Sequence, residues 1–266
     1  MDSSEEAPAS YFDINCRLSQ SDTFQFSCGP NVPCFTECCG KLELLLTPYD
    51  LLRLRKRLGV SSSDFLDTYT NMRWKTAHGF PEVMMKMDPL TGNRCPFVTP
   101  KGCTVYEDRP GACRIYPLGR ASTSSLSNGN HREFFFVVRE DHCQGFAESS
   151  KWAVSEWLRD QGMEEYNTIN DLLMELYVRK SRFKQIQLGP QHIQMFLMAC
   201  YNTDRFRDFL FNSTFLDKFQ LESKLVDEIR NCDRKLLEFS FVWLKFALFG
   251  EPVITVQTNS KVSDGT

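Results

Sequence analysis

Seven cysteines stand in two short-spaced groups, and no other feature of the chain narrows its fold as much. Cys28, Cys34, Cys38 and Cys39 are written C-x5-C-x3-CC, and Cys95, Cys103 and Cys113 follow as C-x7-C-x9-C. A short loop can curl several sulfurs toward one ion at little closure entropy, and a second group then completes the coordination by tying distant chain together. Gly29, Pro30 and Pro33 favour such a curled loop after Cys28. Pro96 biases Cys95 toward an extended conformation, Gly102 lets the backbone bend beside Cys103, and Pro110 and Pro117 bracket the turn that carries Cys113.

The vicinal pair Cys38 and Cys39 is awkward for a single ion, because neighbouring side chains point in different directions on a helix or a strand. One of them is therefore expected to serve a second metal, a different iron of a cluster, or the core. Seven thiols exceed the four that a tetrahedral zinc or a 4Fe–4S cluster needs, which admits two ions or one site with spare thiols. Cys143, preceded by His142, is the candidate eighth sulfur. The bland alternative for all of them is the small, buried, apolar cysteine of an ordinary core.

Compartment decides between metal and disulfide. The N-terminus MDSSEEAPASYFDIN lacks the charged-then-apolar profile of a secretory signal, and no stretch approaches the ~20 apolar residues of a membrane span, so a cytoplasmic protein is expected. In a reducing compartment the 11 cysteines are poorly explained by disulfides, and an odd number cannot all pair within one chain. The 31 basic and 34 acidic residues nearly cancel, so nucleic acid is not an expected partner; a protein partner is compatible with everything in the chain. The basic run Arg53, Arg55, Lys56 and Arg57 reads as the solvated face of an amphipathic helix.

TPYDLLRLRKRLG has a Thr-Pro start and Gly59 as a stop, and SSSDFLDTYT begins a second helix with Ser61 to Ser63 as candidate caps. Val83 to Met87 reads as a short strand, and RIYPLGRA with REFFFVVRE as a β-hairpin joined by a long connection. From Trp152 the text is helical: WAVSEWL, YNTINDLLMELYVRKSRF, HIQMFLMACYNTDRFRDFL and LESKLVDEIRNCDRKLLEFSFVWLKFALF. Cys200 and Cys232 sit within this pattern and read as core cysteines.

His78, His131, His142 and His192 make no H-x3-H or H-E-x-x-H arrangement. Arg109 and Arg114 flank Cys113, where a guanidinium can offset the charge that thiolates accumulate. Walker, G-x-G-x-x-G, G-x-S-x-G and kinase signatures are absent from the sequence.

FSC with the following C and CC, then LTPYDLLRLRKRLG, CPF, GC and VYEDRPGACRIYP, together closely resemble the YkgJ-type cysteine-cluster family, known as the CxxCxxCC zinc- or iron-chelating domain, over roughly residues 24 to 145. By that resemblance Cys28, Cys34, Cys38, Cys39, Cys95, Cys103 and Cys113 fall on the family's cysteine positions, and Tyr106, Arg109 and Pro110 on the motif around them. The spacings before Cys34 and Cys38 are longer than the compact family pattern. The family is labelled Fe–S oxidoreductase or zinc chelator and looks related to flagellin lysine methylases. The resemblance thus implies a metal centre, with an iron–sulfur-dependent oxidoreductase or a lysine methylase-like protein-modifying enzyme as the alternative.

The expected fold is α+β and helix-rich. Residues 1–23 are expected to form a flexible N-terminus, 24–147 a cysteine-cluster metal-binding domain with a small β-hairpin, 148–250 a helical region, and 251–266 a disordered tail. Few apolar runs precede the strand at 134–138, so a metal is expected to substitute for core in the first half. The candidate ligands of zinc or an iron–sulfur cluster are Cys28, Cys34, Cys38, Cys39, Cys95, Cys103, Cys113 and Cys143.

Overall fold

The computed structural model describes residues 17–74, 76–124, 131–183 and 187–256. The flexible terminus and tail expected at the chain ends fall largely on 1–16 and 257–266, outside the described residues, as do Cys16, the 125–130 connection and the side chain of His131. Strand β1 (Thr23–Gln25) leads into a cysteine-bearing loop that contains one 3-10 turn, Glu37–Cys39. Strand β2 (Leu45–Leu46) then delivers the chain to helix α1 (Pro48–Leu58). Local chemistry fixes both ends of α1: Thr47 and Asp50 close a capping box, Pro48 occupies the first turn, and Gly59 at φ 67 stops the helix. Helix α2 (Ser62–Tyr69) starts at Ser61, whose hydroxyl accepts from the Asp64 N–H.

Strands β3 (Thr70–Arg73) and β4 (Glu82–Met85) join β2 in a three-stranded antiparallel sheet of order β2-β4-β3, with Val83 opposite both Leu46 and Met72. A two-stranded ribbon, β5 (Val98–Thr99) and β6 (Gly102–Cys103), precedes the short helix α3 (Gly111–Ile115). The expected hairpin is β7 (Leu118–Ser124) with β8 (His131–Val137), in register from Leu118↔Val137. Strand β9 (Lys151–Ala153) returns to pair with β1, placing Phe24 opposite Trp152.

Seven helices follow: α4 (Val154–Asp160), α5 (Glu164–Arg182), α6 (Pro190–Tyr201), α7 (Thr203–Phe211), α8 (Phe215–Lys218), α9 (Ser223–Asn231) and α10 (Asp233–Phe249). The fold is mixed α+β and helix-rich. Among the described residues no helix is long and apolar enough to cross a membrane.

Two stretches that read as single helices are broken. HIQMFLMACYNTDRFRDFL divides at Asn202, which leaves helical geometry (φ −106, ψ 69) and caps α7 by accepting from the Arg205 N–H. The last helical stretch divides at Cys232, which is extended (φ −126, ψ 113) and exposed, so this cysteine is a hinge residue and not part of the core. Cys200, by contrast, is fully buried.

One apolar core runs from Phe24 and Phe26 through α1, α2 and the sheet to Trp243 and Leu248 on α10. This corrects the expectation of a coreless first half: Leu46, Leu54, Phe65 and Val83 are all fully buried. The basic run of α1 divides: Lys56 and Arg57 are exposed, as on a solvated face, whereas Arg53 and Arg55 are tied down. Arg55 is buried and its Nη2 donates to Asp233 Oδ2 at 2.8 Å, while Arg53 Nε donates to Asp108 Oδ1 at 2.8 Å. What does lack apolar burial is the first cysteine loop itself, where Val32 is the one buried residue between 27 and 43.

Candidate metal centre

Two backbone seams hold the cysteine loops in place. At the first, residues 26–34 are laced to 143–150: the Phe26 N–H donates to the Ser150 carbonyl (2.9 Å), the Ser27 N–H to the Gly145 carbonyl (3.0 Å), and the Gln144 N–H to Cys34 Sγ (3.2 Å). At the second, residues 39–41 are laced to 93–95: the Lys41 N–H donates to the Asn93 carbonyl and the Cys95 N–H to the Cys39 carbonyl, both at 2.8 Å.

The chain crosses from one seam to the other within the few residues after Cys34. Thr36, in this crossing, has φ 69, a left-handed conformation that a β-branched residue adopts only under constraint. Arg94 Nη2 supplies part of that constraint by donating to the Thr36 carbonyl at 2.9 Å and to its hydroxyl at 3.2 Å. Lys41 and Asn93, joined at the second seam, also have positive φ. Backbone strain is therefore concentrated where the thiols are delivered.

Beside the first seam Cys28, Cys34, Cys38 and Cys143 line one small cavity of about 30 Å³ together with His142 and Tyr116. That is the room of about one water and far below the ~300 Å³ of a small-molecule site. Cys28 exposes surface, yet desolvation on its packed side, then the charges of Cys38, Cys34 and Cys143, push its thiol up to about 11. The Tyr116 hydroxyl is buried beside Cys143 and Glu140, and that burial, together with these neighbours, pushes it up. His142, which the sequence offers only as the neighbour of Cys143, lines the same cavity.

Beside the second seam the β5–β6 ribbon sets Val98 opposite Cys103, and the Val98 N–H closes a turn onto the Cys95 carbonyl at 3.1 Å. Burial raises the Cys95 thiol, and the nearby backbone N–H groups of Phe97 and Val98 partly oppose that rise. Cys103 is raised by burial in the same way, against the Val105 N–H. N–H groups aimed at sulfur stabilise thiolate and are the surroundings that metal-bound cysteine uses.

Cys113 is carried by α3, whose first amide, that of Gly111, donates to the buried Asp50 Oδ1 at 2.8 Å. The same Asp50 accepts from the Thr47 N–H at 2.7 Å, so one carboxylate anchors both α1 and the Cys113 turn. Cys113 presents an exposed face but is densely surrounded on its others. That desolvation, then the charges of Cys95, Asp50 and Cys103, pushes its thiol up.

The vicinal pair divides between the two seams. Cys38 is lowered first by a hydrogen bond from Cys39, against burial, and then by the charges of His142 and Arg94. Cys39 is correspondingly raised, by that bond, by burial, and by the charges of Cys38, Cys95 and Cys113. Arg109 is buried and lies close enough to Cys28, Cys103 and Cys113 to act on each electrostatically. Its own donors go to the Tyr106 carbonyl and to Gln161. Arg114 donates to the Gln161 and Glu107 carbonyls, so both guanidiniums also brace the loop.

The ten described cysteines are all free thiols. Among the described residues no three Cys, His, Asp or Glu side chains stand in a geometry that would hold an ion without movement, so the sulfurs are neighbours and not a closed shell. Their chemistry fits zinc or iron: soft sulfur donors that a bound cation makes it favourable to ionise together. Two of the other histidines are engaged elsewhere. His78 stacks on Tyr177 at 3.9 Å and bonds Glu82, and His192 accepts from the Gly189 N–H. A larger cleft, about 310 Å³, lies between Arg207, Asp208, Phe211 and Arg230, and no cysteine lines it.

No curated protein and no solved structure matches the chain. Residues 27–146 match the model of the CxxCxxCC family, described as "Putative zinc- or iron-chelating domain".

Proposed function

We propose that residues 27–146, as a CxxCxxCC domain, hold zinc or an iron–sulfur cluster through the thiolates of Cys28, Cys34, Cys38, Cys39, Cys95, Cys103, Cys113 and Cys143. The observation that carries this reading is the pair of seams, which gather thiols from four separate stretches of chain around a loop with almost no apolar burial of its own. A core cysteine would be placed by apolar neighbours, as Cys200 is. Cys95, Cys103 and Cys143 do pack against the edge of the core, but the loops that carry the cluster are registered by backbone bonds, one of which, from the Gln144 N–H, ends on the sulfur of Cys34.

Zinc and iron are both accepted by such donors. With metal bound, the thiolates would supply either a closed structural ion or a redox-active cluster; the Gln144 N–H would hold the Cys34 sulfur, and the backbone N–H groups of Phe97, Val98 and Val105 would favour thiolate at Cys95 and Cys103. The reading implies a compartment that keeps thiols reduced, such as the cytoplasm.

Elemental analysis and an absorption spectrum on protein purified without oxygen test it. Stoichiometric zinc in colourless protein, or iron with acid-labile sulfide and a broad band near ~400 nm, is the expected result. Protein that holds no metal after reduction and exposure to either ion contradicts it.

A further inference from the structure

Resting on the metal-binding reading above, we propose that the thiols form two separate four-sulfur centres, Cys28–Cys34–Cys38–Cys143 and Cys39–Cys95–Cys103–Cys113, set back to back across the Cys38–Cys39 peptide bond.

The division follows the two seams. Cys28 and Cys34 lie on the strand of loop laced to 143–150, and both share a cavity with Cys38 and Cys143 that none of the other cluster cysteines lines. Cys39 lies on the loop laced to 93–95 and is bonded through its carbonyl to Cys95, which the β5–β6 ribbon brings beside Cys103. Cys113 completes this second set through its neighbourhood with Cys95 and Cys103 and its anchor on Asp50.

Each set has four sulfurs, the number that closes a tetrahedral zinc or ligates one cubane. The adjacency of Cys38 and Cys39, awkward for one ion, suits two abutting centres, because Cys38 lines the first cavity while Cys39 is bonded through its carbonyl to Cys95. Arg109 acts electrostatically on Cys28 of one set and on Cys103 and Cys113 of the other, so a single guanidinium offsets charge at both.

The test is a titration of the reduced, full-length, metal-free chain with cobalt(II), read by its thiolate charge-transfer absorption, with sulfur coordination counted by X-ray absorption. Two ions per chain, each with four sulfurs, are expected. The paired variants Cys34→Ser/Cys143→Ser and Cys95→Ser/Cys103→Ser are each expected to keep one ion with four sulfurs. Saturation of the unaltered chain at one ion overturns the two-centre proposal and leaves metal binding intact; this outcome does not depend on how the variants fold. Loss of both ions in either variant that keeps the helical circular dichroism of the parent also overturns it. No binding by the unaltered chain sinks the metal-binding reading itself.

Discussion

The loop from 27 to 43 and helix α10 are of similar length and are held in opposite ways. Along α10 eight side chains are buried, among them Leu236, Leu237, Phe241 and Leu244, so packing is the main contribution to its position. In the loop Val32 is the one buried side chain, Thr36 and Lys41 are in left-handed conformations, and position is kept by hydrogen bonds at two seams. Apolar packing and thiol placement are thus alternative ways of fixing a chain, and this protein uses each where its residue types allow. Cysteines that are only small apolar residues belong to the first kind. Cysteines that receive N–H groups on sulfur belong to the second.

The comparison can be broken hardest from the α10 side. Phe241→Ala removes a fully buried ring from a core that is continuous with α1 and the sheet. A loss of about 3–5 kcal/mol is expected, read by urea denaturation, with both halves unfolding in one transition. Two separated transitions would show that the halves are independent.

A middle-sized effect is expected where α10 is tied to α1, the helix that follows the loop, and to α7. Asp233, at the start of α10, receives Arg55 from α1 and Arg207 from α7 and lies 3.3 Å from Lys56. Burial pushes its carboxyl up, but the hydrogen bond from Arg207 and the charges of Arg55 and Lys56 outweigh burial and hold it below the usual value. A depressed carboxylate contributes stability above its unfolded pKa of ~4, and that contribution is lost as pH falls through the folded value. Asp233→Ala is expected to cost about 2 kcal/mol near neutral pH, less than a fully buried pair because solvent reaches the site. Denaturation as a function of pH checks it: the gap between parent and variant should close in acid.

The smallest effects should be local to one thiol set. A Cβ at Gly145 would lie 2.5 Å from the Ser27 carbonyl, against the first seam, while Gly102 has φ +114 and a Cβ there would meet Phe35 at 3.2 Å beside Cys103. Gly145→Ala and Gly102→Ala are each expected to cost about 1–2 kcal/mol. Cobalt titration should show Gly145→Ala weakening one class of site and Gly102→Ala the other; equal weakening of both classes by either variant contradicts the division.

What was legible in the sequence was local chemistry. Thr47, Pro48 and Gly59 announce the ends of α1 because caps act within a few residues, and REFFFVVRE reads as a strand because its composition suits one. The break at Asn202 was hidden by apolar periodicity running straight through it without glycine or proline. Arg55 read as solvated because its partners Asp204 and Asp233 are remote in sequence. The cysteine spacing pointed to thiol chemistry, but which thiols neighbour which is set by the seams, and the contact of Gln144 with Cys34 cannot be read from either segment alone.

Hydrogen exchange on the reduced chain, with and without stoichiometric zinc(II), tests most directly that the loops are held by thiolate and metal while the helices are held by packing. Metal is predicted to slow exchange at the amides of Gln144, Phe97, Val98 and Val105 and along the loop from 27 to 43, and to leave α10 unchanged. Exchange in the loop that does not respond to metal, or a response spread evenly over loop and helix, would contradict it.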